Sequence, residues 1–484
     1  VTVARIAGPH SSFSSPSFFF VPILFFLLIL LSSSSLLPAS SPEEYLYDVF
    51  MADIPAGTIR EVWEETKIAG SCAIRVTSEM RITLPRGESE LALGTKSIVE
   101  ADCGTYRPRA LRIERDEGGA IAITTAQREN DRLLVTTEKN GVTEKTTLTL
   151  GEDVVFFSML FRKYPNDFFA RKGSVAAISE EGMTMRTLSF EGYRINDTVE
   201  VKVLYEGVPV TFTLRGHVIL SMTMNNGFIT YRLRENKQTQ PPSLKIPPRD
   251  ILSLTAIPNE GIRVLRPRDA RRMVVRVIGN TDGIPSFCWQ STTTTQRDGA
   301  TVTVDSANVP CKEPPSLTDT AATLYEDRES PAVKKLAAQW QHITDRGVLL
   351  REVTHFVFRY ITDKNYRHGT LSASETIATR SGDCTEHAVL ATALLRALGV
   401  PARALYGLVL SDDGRFFFHH WIEAHTGVGW VPADPTFGAT PADAARIVIA
   451  RSSSGGAAER EEISLAVMRF LQRTRLAVMG ISYE

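Results

Sequence analysis

Hydrophobic and polar residues alternate from Tyr45 to about Lys237, in runs rich in β-branched and aromatic side chains between turn signals. Tyr45 to Met51 and Thr58 to Glu65 flank Asp53, Pro55 and Gly57. Leu133 to Glu138 and Val142 to Leu150 flank Asn140-Gly141, and His217 to Met224 and Phe228 to Leu233 flank Asn225-Asn226-Gly227. Asn-Gly adopts the positive φ angles of a tight hairpin, so residues 41–245 are expected to form an antiparallel all-β domain, a curved sheet or open barrel.

The alternation then lapses. QTQPPSLKIPPRD (Gln238 to Asp250) reads as a linker. Arg272 to Ile278 and Ala300 to Asp305 are short strands parted by a threonine-rich stretch, so 246–315 is expected to be linker and small β unit. Over 316–484 the period becomes helical first. Ser330-Pro331 starts a helix whose apolar face is Val333, Leu336, Ala337, Trp340 and Ile343, and a second helix runs from about Val348 to Ile361. Ser372 and Glu375 have capping-box spacing. A helix opening near Cys384 is apolar nearly all round and stops at Gly399-Val400-Pro401, which predicts a central, buried position. Three strands follow, Ala404 to Leu410, Phe416 to Glu423 and Val428 to Pro432. The fold class is therefore α+β.

Charge is balanced, 54 basic against 55 acidic residues in 484, with no dense basic run, which argues against a nucleic-acid partner. Near the N-terminus, Phe18 to Leu31 is apolar and is followed by serines and Leu36-Leu37-Pro38-Ala39-Ser40. This pattern is that of a signal peptide, with 1–40 either cleaved or kept as a membrane anchor. The expected location is outside the cytoplasm, periplasmic or extracellular. Export makes the five cysteines informative, because exported thiols tend to be oxidised or catalytic. Cys72 with Cys103 and Cys288 with Cys311 are expected as two local disulfides, leaving Cys384 free.

Candidate chemistry lies in SGDCTEHA (Ser381 to Ala388), HHW (His419 to Trp421) and DPT (Asp434 to Thr436). A cysteine in the first turn of a helix meets unpaired N–H groups and the positive end of the dipole, which favour thiolate. A histidine can act as base and an aspartate can orient it. In a strand His419 shares a face with Phe417, Trp421 and Glu423, and His420 with Phe418 and Ile422, so only one can face Cys384. The apolar company of His420 favours His419, and alternation alone goes no further. Glu386 suits the helix start, His387 lies one turn from Cys384, and either could line a substrate site. Trp421 is a core or cleft-wall residue. Cys384-x-x-His387 with His419, His420 and His425 has zinc-ligand residue types but not the paired spacing of a structural zinc site, so no metal or other cofactor is expected.

G-D-C-x-E-H-A, Leu398-Gly-Val-Pro-Ala-Arg403, H-x-W-I-E and Gly429-Trp-Val-Pro-Ala-Asp-Pro-Thr436, in this order, resemble the transglutaminase-like superfamily of cysteine enzymes, in its bacterial exported branch. The resemblance spans about 329–449. It implies a papain-like core of helices and antiparallel sheet at 316–484, with Cys384, His419 and Asp434 as the catalytic set, His419 being the first residue of H-x-W. Asp383 stands where animal cross-linking members have glutamine, so their oxyanion arrangement and calcium dependence do not carry over. The expected reaction is acyl transfer from an amide through a Cys384 thioester, hydrolysis more than cross-linking, on a protein or peptide such as a cell-wall peptide. The alternative is a catalytically idle scaffold that binds peptide or cell wall.

Overall fold

The computed structural model describes residues 42–484 apart from 87–88, 236–250, 280, 282, 296–298, 453 and 472–473. The expected signal segment 1–40 and the proline-rich stretch 238–250 lie outside the described residues. The fold is α+β, with a large all-β region followed by helices and sheet.

Fifteen strands form one sheet. Its first arm is a meander from Glu43–Met51 out to Val142–Thr149, and its second runs from Val155–Phe156 back to Ile229–Leu233, which pairs with Glu43–Met51. The two arms thus join at mid-sheet. Asn140 and Gly141, at φ 50° and 76°, make the two-residue turn that pairs Lys139 with Val142. Alternation gives the sheet a buried face, seen in Leu111, Ile113 and Arg115 or Val199, Val201 and Val203, and the short helical segment around Phe157, Phe161 and Phe169 packs into the same core.

The helix Cys384–Ala397 is the axis of the C-terminal region, buried from Cys384 through Arg396. Helices Pro331–Ala337, Arg346–Tyr360 and Ala373–Thr379 pack around it, and its other side lies on strands Ala402–Leu410 and Arg415–His425. An apolar residue on every side allows this, because each face meets another element. Gly399, at φ 73°, ends the helix. The sheet is extended by Ile257–Pro258, Trp430–Ala433 and Arg446–Ser452.

A third sheet has the order Gln290–Thr295, Gly299–Asp305, Arg272–Ile278, Arg475–Ser482. The threonine-rich stretch is itself a strand here, as β-branching allows. The fourth strand arrives from beyond the helix Cys384–Ala397 and its sheet. Cys288 is bonded to Cys311 and Cys72 to Cys103, with Cα separations of 5.6 and 5.5 Å. Cys311 also pairs with Trp430 through the backbone, tying the small sheet's exit to the sheet beside the helix Cys384–Ala397.

Candidate active site

Asp383 is the N-cap of the cysteine helix. Its Oδ1 accepts from Thr385 N at 2.7 Å, while its own N–H donates to Glu386 Oε2 at 2.9 Å. This capping box sets Cys384 in the first turn. Cys384, the one free cysteine, is buried. The helix packs on the strand Arg415–His425. On that strand the two histidines turn to opposite sides. His419 Nε2 lies 2.8 Å from Asp434 Oδ2, whereas His420 stacks on Tyr406 at 4.2 Å between ring centres. His419 Nδ1 is buried with no hydrogen-bond partner.

Asp434 follows the short strand Trp430–Ala433. Its Oδ1 accepts from Thr436 N at 2.9 Å, and its Oδ2 also receives Arg446 Nε and Nη2 at 2.9 and 2.7 Å. Burial alone would raise its carboxyl, but His419 and Arg446 outweigh that and hold it well below the usual carboxylate range. Burial lowers His419, with Arg446 and Arg268 acting in the same direction against Asp434. The imidazole is therefore kept neutral, the form that can accept a proton.

The thiol departs from expectation. Burial and then the Asp383 carboxylate push Cys384 well above its ordinary value, with the backbone N–H of His420 opposing. The helix start alone would favour thiolate, but burial of the thiol, joined by the carboxylate next in sequence, reverses the balance. Asp383 itself is raised to about 6 by burial, with Arg86 pulling it down.

Trp421 is fully buried, stacks beside His419 at 5.7 Å and borders a cavity of about 10 Å³, room for one water, on the side of Trp289 and Arg446. Glu386 is fully buried, and its Oε1 accepts from Leu371 N at 3.1 Å. His387 Nδ1 lies 2.5 Å from Asp383 O. In this state the expected substrate-lining residues Trp421, Glu386 and His387 are wall and support, with no exposed surface. His425 packs edge-on to Trp430, so His387, His419, His420 and His425 each have a different partner.

Cys384 is 1 % exposed and His419 and Asp434 are fully covered. The loop 362–371 is joined to the segment just before the cysteine helix by Gly382 N to Asp363 O and Asn365 Nδ2 to Ser381 Oγ. The large sheet grips the same loop. Gly369 N donates to Glu117 O at 2.9 Å, Thr370 N to Glu117 Oε2 at 3.0 Å, and Arg86 Nη1 to His368 O at 3.2 Å. Arg86, Arg268 and Arg446 did not stand out in the sequence. The signal for Arg446 is weak, a single charge opening the apolar run Ile447-Val448-Ile449.

Residues 334–435, which hold the cysteine helix, the histidine strand and Asp434, match the family model described as the transglutaminase-like superfamily. The chain carries a transglutaminase-like core. No curated protein matches over the chain. Three solved structures share parts of the fold. A candidate cysteine protease from Cytophaga hutchinsonii is 17 % identical over 44 % of this chain and 84 % of its own, with a TM-score of 0.28. A β-barrel-like protein of a domain of unknown function from Brucella abortus is 14 % identical over 40 % and 94 %, at 0.30. The periplasmic domain of TgpA from Pseudomonas aeruginosa is 15 % identical over 39 % and 94 %, at 0.27. At such TM-scores these likenesses carry no weight for function. The likeness that stands is that of residues 334–435 to the transglutaminase-like superfamily.

Proposed function

We propose that the protein is an exported cysteine enzyme that transfers the acyl group of a peptide or protein amide through a thioester on Cys384, with water as the ordinary acceptor. The observation that carries the reading is the hydrogen bond of His419 Nε2 to Asp434 Oδ2, which leaves Nδ1 as the ring nitrogen free to exchange a proton. The resting pair is thiol and neutral imidazole. His419 Nδ1 takes the thiol proton as Cys384 Sγ bonds to the amide carbon. The same proton passes to the leaving nitrogen as the C–N bond breaks. Water then gives up a proton to His419, attacks the thioester carbon and releases the acid and the thiol. Asp434 holds the tautomer and offsets the imidazolium charge.

Hydrolysis is taken as the ordinary outcome because water, unlike an acceptor amine, needs no binding groove of its own. Cell-wall peptide fits an exported amide hydrolase, and the N-terminal apolar run and the two disulfides support export to the periplasm or beyond, free or anchored through that run. The test is incubation with peptidoglycan peptides and unfolded proteins, reading released amine and an acyl adduct on Cys384 by mass spectrometry. Turnover that vanishes in Cys384→Ala and His419→Ala, with unchanged Tm, is the expected result.

The complete burial of Cys384 favours a second reading, a catalytically idle scaffold that binds peptide or cell wall. Binding of peptide or cell wall without turnover, in wild type and Cys384→Ala alike, selects it.

A further inference from the structure

Asp434 is held from two sides, and His419 is only one of them. Arg446, 1 % exposed, places two N–H groups on the same Oδ2 atom. It also pairs with Asp443, which accepts from Arg268 Nη1 at 3.2 Å. From the imidazole outward the order is His419, Asp434, Arg446, Asp443, Arg268, so beyond the imidazole the charges alternate. Both guanidinium groups lie over the Phe437 ring, at 5.3 and 5.0 Å, and that ring meets His419 edge-on at 5.5 Å.

The backbone explains how an arginine comes to be buried here. Opposite Arg446–Ser452, Tyr406 pairs with Ala450 but Gly407 pairs with Val448, so Ile449 is left out of the ladder. A Cβ on Gly407 would lie 1.8 Å from Ile447 O, so this approach needs glycine. Gln290, fully buried on the small sheet, clamps Val448 at the irregular point: its Oε1 accepts from Val448 N at 2.7 Å and its Nε2 donates to Val448 O at 2.9 Å. Residues from outside the transglutaminase-like core, Gln290 and Arg268, thus support the arginine that holds Asp434.

We propose that Arg446 is a positioning residue for the acyl transfer, its N–H fork fixing Asp434 and its charge keeping a second positive charge off His419, and that the small sheet serves the site by holding Arg446. The inference rests on the acyl-transfer reading for its role but not for its test. The titratable and charged groups acting on His419 are His387 from the cysteine helix, His420 beside it in the strand, Asp434, Arg446 and Arg268, with Lys364 of loop 362–371 acting on Asp434 and His387. A cation near an imidazole disfavours protonation, so removing Arg446 raises the His419 midpoint.

The experiment is a pH titration of the full chain by 13Cε1-histidine NMR, with Tm measured alongside. Arg446→Met is expected to move the His419 midpoint up by roughly one pH unit, while Arg446→Lys, which keeps the charge but loses the fork, stays within about a third of a unit of wild type. A purely structural arginine would lower Tm and leave the midpoint in place, and that result overturns the proposal. Should Arg446→Met not fold, Arg268→Met decides: a smaller upward shift supports the proposal and an unchanged midpoint overturns it. Iodoacetamide labelling of Cys384 in wild type and His419→Ala separates the two claims, since a rate insensitive to His419 ends the acyl-transfer reading without touching the titration.

Discussion

Arg86 Nη2 lies 3.7 Å from Asp383 Oδ2, so a strand of the large sheet reaches the residue that caps the cysteine helix. Both side chains are buried, at 2 and 3 % exposure. Because burial raises Asp383 to about 6, above its unfolded value near 3.9, the group stabilises the fold most at acid pH, and that contribution is lost as pH rises from about 4 through 6. Asp383→Asn keeps a capping oxygen without the charge. Its stability relative to wild type is expected to improve across that window, measured by urea unfolding at pH 4 and 7. A constant difference would show that Asp383 does not titrate there.

Asp434 has the opposite sign. Its folded carboxyl is held far below the unfolded value, so its contribution is present above about pH 4 and is lost as pH falls below that. Asp434→Asn removes the charge that fixes the His419 tautomer and one of two anions on Arg446. Turnover is expected to fall by roughly 10³-fold or more. Unfolding free energy at pH 7 should drop by about 2–4 kcal/mol, because Arg446 loses a buried partner. A variant as active as wild type would remove Asp434 from the mechanism.

Access to Cys384 is expected to be governed by the grip of the large sheet on loop 362–371. Gly118 sits at φ 67°, and a Cβ there would lie 2.2 Å from Arg367 O. Gly118→Ala therefore pushes the loop away from the sheet. Iodoacetamide labelling of Cys384 should quicken by about tenfold, as expected when an opening costing about 1.4 kcal/mol less exposes the thiol. An unchanged rate would show that the thiol is reached by another route.

Intact-mass analysis after unfolding in alkylating agent without reductant should find one labelled cysteine, Cys384. Cys288→Ser with Cys311→Ser opens a loop of 23 residues and is expected to cost about 3 kcal/mol. Three or more labels on the wild-type chain would contradict the pairing.

Much of the architecture was legible because it is local. Asn140-Gly141 marked a hairpin, and a helix apolar on all sides between Asp383 and Gly399 had to be central. Alternation separated His419 from His420, and the structure turns them to opposite faces. What escaped depends on partners distant in sequence. Arg475–Ser482 is an ordinary short apolar run until it meets Arg272–Ile278, and Arg86, Arg268 and Arg446 look like surface charges until the fold surrounds them. The thiolate expectation failed for a related reason. The helix dipole is a local property, whereas the burial that lets Asp383 oppose it is not.

The small sheet, with strands drawn from both sides of the transglutaminase-like core, has a consequence for biogenesis. Synthesis delivers Cys384, His419 and Asp434 before Arg475–Ser482, yet Arg272–Ile278 lacks one neighbour until that strand arrives. Gln290 and the strand that holds it belong to this late-closing sheet. The chain thus completes the small sheet only after Cys384, His419 and Asp434 have been made.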